Sequence, residues 1–163
     1  MTDNFTRHGS LLAPHPTMPG PGPYYTCLTD MRQVQRFPGD YALYFSTDHD
    51  AGDGGIWLYV CAGSPTDPTA WRSYDEVAAD GGFDHVKSHP VANPIFRDPV
   101  QGTGHTETPH ANVIDGRVYM TYHKNGIENT QRTLLATSQD GVQFRRIHGD
   151  DDSVILRCAP GER

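Results

Sequence analysis

Tyr41-Ala-Leu-Tyr-Phe-Ser-Thr47 is the stretch that decides the fold class, together with Ile56-Trp-Leu-Tyr-Val-Cys61, which follows it after a turn. Both segments are short, rich in aromatic and β-branched residues, and bordered by Gly and Asp at 39–40 and 53–55. Such segments are typical of β-strands, and Gly and Asp adopt the positive-φ conformations that hairpins need. The pattern predicts an all-β fold of antiparallel strands.

A second copy of this pattern lies 77 residues further along the chain. Val118-Tyr-Met-Thr-Tyr-His-Lys124 falls on residues 41–47, and Thr133-Leu-Leu-Ala-Thr-Ser138 falls on residues 56–61 at the same offset. Sequence repetition at a fixed offset indicates a repeat architecture, and four-stranded sheets repeated around an axis form the blades of a β-propeller. We therefore predict antiparallel propeller blades, of which the chain supplies about two.

The offset of 77 also aligns two acidic residues that precede the repeated strands. Extended backwards without a gap, it places Thr106-Glu107-Thr108 on Thr29-Asp30-Met31. In a propeller, the innermost strand of each blade lines a central funnel. The alignment predicts that Asp30 and Glu107 occupy equivalent positions that face a site.

The predicted organisation has five parts. These are an N-terminal extension at 1–23, a first blade-like repeat at 24–87, a long loop at 88–104, a second blade-like repeat at 105–147 and a C-terminal segment at 148–163 that could begin a third blade. Within the repeats, Val142–Ile147 is the predicted fourth strand of the second unit and Phe83–Val86 that of the first, whereas 71–79 could hold a short helix.

Composition and charge exclude several classes of partner. The formal net charge is −7, from 13 basic and 20 acidic residues, which disfavours binding to nucleic acids and to anionic membranes. No apolar run reaches the ~18 residues of a membrane span, and the N-terminus lacks the apolar core of a signal peptide. We therefore expect a cytoplasmic protein, or one whose export signal was removed. Cys27, Cys61 and Cys158 are widely spaced, which predicts neither a disulfide framework nor a cysteine zinc site.

The densest polar cluster is Gly104-His-Thr-Glu-Thr-Pro-His110. On a strand, His105 and Glu107 share one face, where they could bind sugar hydroxyls, tune each other's pKa or hold a metal. The alternative is a polar strand start. For Asp30 the alternative is a turn aspartate before Met31.

Other candidate ligand contacts are scattered. They are His110, Asp48, His49, His123 and Trp71, of which Trp71 lies in a loop-like stretch and is a candidate for stacking on a sugar. No glycine-rich phosphate loop, Gly-x-Ser-x-Gly elbow or zinc-binding motif is present in the sequence. The carboxylate side chains are therefore the remaining candidates for catalytic residues. No metal site and no cofactor are predicted, and an axial calcium ion has no support in the sequence.

The chain resembles the arabinanase and β-xylosidase-like five-bladed propeller glycoside hydrolases and their relatives. The resemblance rests on Tyr41-Ala-Leu-Tyr-Phe-Ser-Thr-Asp48, Gly55-Ile-Trp-Leu-Tyr-Val60, Thr106-Glu-Thr-Pro109, Val118-Tyr-Met-Thr-Tyr122 and Leu135-Ala-Thr-Ser-Gln-Asp-Gly141. The matching segments fall between residues 24 and 147, and the Ser-x-Asp-Gly signature is shared by many propellers.

The resemblance implies a glycoside hydrolase that acts on an oligosaccharide or glycoside by carboxylate general acid and base chemistry. It places Asp30 as the general base and Glu107 as the second carboxylate, and no residue is assigned as the general acid. The family has five blades, so a homo-oligomer could complete the propeller. The alternative is a non-catalytic carbohydrate-binding or scaffolding propeller fragment.

Overall fold

The computed structural model describes residues 12, 15–18, 20, 22–47, 54–98, 106–125, 131–147 and 154–157. In these ranges the chain is mostly β, as predicted, and forms two antiparallel sheets. The first sheet contains, in spatial order, β1 (Tyr24–Asp30), β2 (Tyr41–Ser46), β3 (Ile56–Cys61) and β4 (Trp71–Ser73). The second contains β5 (Thr106–Ile114), β6 (Arg117–Asn125), β7 (Gln131–Ser138) and β8 (Arg145–Arg146), and β9 (Val154–Arg157) also pairs with β7.

A short helix follows the first sheet. A 3-10 turn (Pro68–Ala70) leads into β4, and α1 (Tyr74–Ala79) begins directly after it. The helix starts at a capping box, in which the Ser73 backbone N–H donates to the Glu76 carboxylate at 2.8 Å and the Glu76 N–H donates to the Ser73 hydroxyl at 3.3 Å. A short helix within 71–79 is therefore confirmed. In the described ranges, no helix is long and apolar enough to cross a membrane.

The predicted outer strand of the first sheet was wrong. Phe83 and Val86 are buried in turns, and the fourth strand is β4, which pairs with β3 through Cys61 and Trp71. Phe83 and Val86 are three positions apart, which is not the two-residue alternation of a strand, and the hydrogen bond from the Val86 N–H to the Phe83 carbonyl closes a turn.

The far edge of the second sheet also differs from the prediction. The fourth strand is confined to the two residues of β8 within the predicted Val142–Ile147. β9, in the segment predicted to begin a third blade, pairs with β7 through Thr133 and Leu156 and so extends the second sheet.

The offset of 77 is confirmed for two of the three repeated segments. Tyr41 pairs with Cys61 in the first sheet, and Val118 pairs with Ser138 in the second. Both members of the second pair lie 77 residues after the members of the first. The central strands of the two sheets therefore have the same register.

The equivalence of Asp30 and Glu107 was wrong. Glu107 pairs with His123, which is 77 residues after Ser46, and the partner of Ser46 on β1 is Tyr24. The residue equivalent to Asp30 is Val113. The offset for the first strands is thus 83, because ten residues, 31–40, separate the paired residues Asp30 and Tyr41, whereas four, 114–117, separate the equivalent pair Val113 and Val118.

The two sheets share one core, but the residues that face it are not at equivalent positions of the repeat. Ala42 and Tyr44 of β2 contribute to this core, whereas the residues 77 positions later, Tyr119 and Thr121, lie on the opposite face of β6 from the core residue Met120. We call the side of β6, β7 and β8 that points away from the shared core the outer face.

The other face of the first sheet packs against Leu12 and Met18. Phe45, Trp57 and Tyr59 form a second apolar cluster there, and Leu12 and Met18 pack against it. All three aromatic side chains are buried as a result.

Candidate functional site

The first strand of each sheet is irregular near its beginning. The pairing of β1 with β2 shifts register between Tyr24 and Cys27, and Tyr25 has a φ of +50°. The pairing of β5 with β6 shifts between Glu107 and His110, and Thr108 has a φ of +54°. Positive φ in non-glycine residues costs free energy, and bulges concentrate beside functional sites. The equivalent position of the two irregularities marks this end of the sheets as the candidate site.

Hydrogen bonds hold β1 and β5 side by side with both irregularities at the same end. The Thr108 backbone N–H donates to the Ser46 hydroxyl at 2.7 Å, and Ser46 is the register partner of Tyr24. Further along, the Ala111 N–H donates to the Cys27 sulfur at 3.2 Å, and the Thr29 hydroxyl donates to the Ala111 carbonyl at 3.2 Å.

We define the bulge end as Tyr24, Tyr25, Ser46, Glu107 and Thr108. Its exposed part is aromatic, because Tyr24 and Tyr25 are 39% and 57% exposed and their ring centroids lie 6.4 Å apart. Its inner part is polar, because Ser46 is fully buried and Glu107 is 6% exposed. An exposed aromatic pair beside an inward carboxyl group can bind a ligand that has both an apolar face and hydroxyl groups.

Sequence reasoning did not select the two tyrosines. They precede the aligned stretches, which begin at Thr29. The offset of 77 aligned them with residues 101 and 102 of the long loop instead of with Glu107 and Thr108. The signal that could have found them is the pair of adjacent aromatic residues after Gly22-Pro23, at the start of the strand that leads to Asp30.

Asp30 lies away from the bulge end. It is the last residue of β1, and the hydroxyl of the preceding residue, Thr29, donates to the carbonyl of Ala111, which is four positions from Glu107 on β5, or roughly 13 Å along a strand. Two carboxyl groups that flank a glycosidic bond are about 5–10 Å apart. The described chain therefore does not bring Asp30 and Glu107 together as a catalytic pair.

The surroundings of Asp30 are those of an exposed ion pair. Its carboxylate accepts from Arg32 Nε at 2.9 Å and from the Arg32 backbone N–H at 3.1 Å, and Arg32 Nη2 contacts its second oxygen. The Arg32 side-chain hydrogen bonds, with the backbone N–H, lower the pKa of Asp30 to about 2. A general base with so low a pKa is a weak proton acceptor near neutral pH.

The other predicted site residues are dispersed. His123 is half-buried and opposes Glu107 across β5 and β6, whereas His110 is exposed and its ring nitrogen lies 3.3 Å from the Asn112 amide. Trp71 is not in a loop: it lies in β4, packs against the apolar cluster of the first sheet and donates from Nε1 to the Pro65 carbonyl at 3.1 Å. His105, Asp48 and His49 lie outside the described residues.

A buried charged cluster lies on the core side of β6, next to the bulge end. The Asp98 side chain is fully buried and contacts Arg146, whose Nε donates at 3.0 Å, and Lys124, whose Nζ is 3.3 Å away. The Tyr122 hydroxyl donates to the same carboxylate at 2.8 Å. Burial and then the adjacent carboxylate raise the pKa of Tyr122, so this hydroxyl stays protonated. The backbone N–H of Asp98 also donates to the Thr106 hydroxyl at 2.9 Å.

The Asp98 carboxylate is shared by Arg146, Lys124 and Tyr122, and we assign this cluster a structural role. It joins the end of the long connection after α1 to β5, β6 and β8, and it thereby fixes the residue that precedes Glu107. Among the described residues, no group of three or more His, Cys, Asp or Glu side chains could hold a metal ion.

The geometry therefore points to the bulge end, with Glu107 as its acidic group and two tyrosines at its surface. Comparison with known proteins adds nothing to this assignment: no protein-family model matches the chain, and no curated protein matches it.

Proposed function

We propose that this chain is a saccharide-binding, propeller-type unit of the glycoside hydrolase kind, with the bulge end as its binding site. The observation that carries the proposal is the coincidence of two strand irregularities, an exposed aromatic pair and an inward carboxyl group at one end of the first strands. A pyranose ring presents apolar C–H faces and hydroxyl groups, which match tyrosine rings and a carboxyl group respectively.

The blade architecture is supported by the way in which the two sheets pack. Adjacent blades of a propeller are related by rotation about an axis, so the face of one blade packs on the opposite face of the next. The core residues of the central strands have this relation, because Ala42 and Tyr44 of β2 share a core with Met120 of β6, whereas their register equivalents Tyr119 and Thr121 lie on the other face of β6. The sequence resemblance to five-bladed glycoside hydrolases agrees with it.

In the proposed site, the two tyrosines bind the saccharide and Glu107 is the residue that acts on it. Tyr24 and Tyr25 would cover a sugar face, and Glu107 would accept hydrogen bonds from hydroxyl groups or exchange a proton with the glycosidic oxygen. His123, opposite Glu107, is a neighbour through which a proton could pass. Hydrolysis requires a second carboxyl group at this end, which Asp30 does not supply.

The test is binding followed by turnover. A panel of oligosaccharides should contain a ligand that binds the protein in calorimetry, and Tyr25→Ala should weaken that binding at least tenfold, because the most exposed ring of the site is removed. Leu28→Ala is the matched control, since Leu28 is 52% exposed on the same strand but outside the bulge end. Equal loss in both variants, or no ligand in the panel, would overturn the proposal.

A second candidate function is saccharide binding without catalysis, which the position of Asp30 favours. Glu107→Gln separates the two functions. If the protein hydrolyses the bound oligosaccharide, this variant should lose the activity and keep most of the binding; if no product forms with the wild type on prolonged incubation, the role of Glu107 is binding alone.

A further inference from the structure

A polar cavity of about 270 Å³ opens on the outer face of the second sheet. It lies where β6 begins and β7 ends, at the opposite end of the sheet from Glu107. Its lining residues are all polar or charged: Arg117, Thr137, Ser138, Gln139, Asp140, Gln143 and Arg145. A cavity of this size can hold a small polar ligand or one charged group of a larger one.

Two arginines approach this cavity from separate strands. Arg117 is the first residue of β6, and Arg145 lies on β8 directly opposite Thr137 of β7. Because β7 separates them, their backbones are about 10 Å apart in the direction of the strand hydrogen bonds. Arg117 also lies two positions before Tyr119, the β6 partner of Thr137, which adds roughly 7 Å along the strand. Both arginines line the cavity, so their long side chains can reach one group bound between them.

Neither guanidinium group has a hydrogen bond or an ion pair within the part of the chain that the structure describes. This distinguishes them from Arg32, Arg72 and Arg146, each of which contacts a carboxylate. Two like charges on one cavity repel each other, and an anion between them removes this cost.

Asp140, the acidic residue that lines the cavity, forms the hydrogen bonds of a turn. Asp140 Oδ1 accepts from the backbone N–H groups of Val142 and Gln143 at 2.8 and 2.7 Å and lies 2.9 Å from the Ser138 hydroxyl. The carboxylate thus shapes the turn after β7, and it does not ion-pair with either arginine. The cavity keeps a local positive charge in a protein whose net charge is −7.

We propose that this cavity binds an oxyanion group of a small ligand, held between Arg117 and Arg145. A guanidinium group donates two parallel N–H bonds to a sulfate, phosphate or carboxylate, which a single ammonium group does not. The amide of Gln139 and the hydroxyl of Thr137 supply the neutral part of the wall. This site is separate from the bulge end and does not depend on the proposed function.

Calorimetric titration of the full-length protein with sodium sulfate, sodium phosphate and sodium glucuronate, each at constant ionic strength, tests the proposal. We expect saturable binding of at least one of the three anions with one site per chain. Preference for sulfate or phosphate identifies a tetrahedral oxyanion as the ligand group, and preference for glucuronate identifies a carboxylate. Absence of saturable binding with all three overturns the proposal.

Substitutions assign the binding to the two arginines. Arg117→Ala and Arg145→Ala should each weaken binding of the preferred anion at least tenfold, whereas Arg72→Ala, which removes an exposed arginine elsewhere, should leave it unchanged. Arg145→Lys keeps the charge and should still weaken binding, because the paired donors are lost. Circular dichroism checks that each variant is folded. Anion binding that survives both alanine substitutions, or falls equally in Arg72→Ala, refutes the assignment.

Discussion

At the scale of single residues, the acidic groups of this chain differ in what surrounds them. Asp30 is exposed and ion-paired, Asp98 is fully buried among cations, and Glu107 is nearly buried at a strand irregularity. Sequence alone treats Asp30 and Glu107 as alike, because both precede a repeated strand. Because Asp30 forms an exposed ion pair with Arg32, we interpret it as a residue that stabilises local structure. Glu107, nearly buried at a strand irregularity, remains the candidate for function.

The pKa of Asp30 should be about 2 in the folded protein, measured by NMR titration of its side-chain carboxyl carbon. Because the folded pKa lies below the ordinary value of 3.8, the pair with Arg32 contributes stability above about pH 4 that is lost as the pH falls towards 2. Arg32→Ala should raise the pKa of Asp30 towards 3.8. A wild-type pKa already near 3.8 would contradict the ion pair.

At the scale of elements, short strands depend on contacts outside their own sheet. β8 has two residues, and one of them, Arg146, binds Asp98 in the connection that follows α1. The same carboxylate contacts Lys124 and Tyr122 of β6. The Asp98 cluster therefore fixes the edge of the second sheet and the approach to β5 together.

Removal of Asp98 should be costly. Asp98→Ala removes the carboxylate that Arg146 and Lys124 share, while their charges stay buried. We therefore expect the free energy of unfolding, measured by urea denaturation, to fall by about 3–5 kcal/mol. Asp80→Ala is the control, because it removes an exposed partner of Arg72 and should cost about 0–1 kcal/mol. Similar losses in the two variants would show that the Asp98 cluster does not stabilise the fold.

The elements that could be predicted from sequence are those that a short-range pattern determines. The strands at 41–46 and 118–125 were evident because aromatic and apolar residues recur within them and glycine-containing turns border them. The pairing of β9 with β7 and the equivalence of Tyr24 with Glu107 were not, because both depend on the length of connections and on register shifts. The Asp98 cluster joins residues 48 positions apart, from 98 to 146, and no local pattern encodes it.

At the scale of the whole molecule, the two sheets share one apolar core and should unfold together. Met120, on β6, is fully buried in the same cluster as Tyr44 and Leu58 of the first sheet. Among the described residues, the second sheet contributes to this cluster and to no other, so a cavity made in the second sheet should weaken the first as well.

Met120→Ala should therefore destabilise both sheets, by about 2–5 kcal/mol. The two tryptophans of the chain, Trp57 and Trp71, both lie in the first sheet, so their fluorescence reports on that sheet although the substitution is in the second. The urea midpoints from fluorescence and from far-UV circular dichroism should shift by the same amount. A shift in circular dichroism with unchanged fluorescence would show that the sheets unfold independently.

The use of opposite faces at the shared core has a consequence for the symmetry of the fold. A two-fold axis would join identical faces and close the set at two sheets, as in an isologous dimer. The core residues Ala42 and Tyr44 of β2 and Met120 of β6 come instead from opposite faces of the repeat, so the interface between the two sheets is heterologous. Each sheet therefore keeps a different face outside the shared core: in the first sheet this face packs against Leu12 and Met18, and in the second it carries the polar cavity.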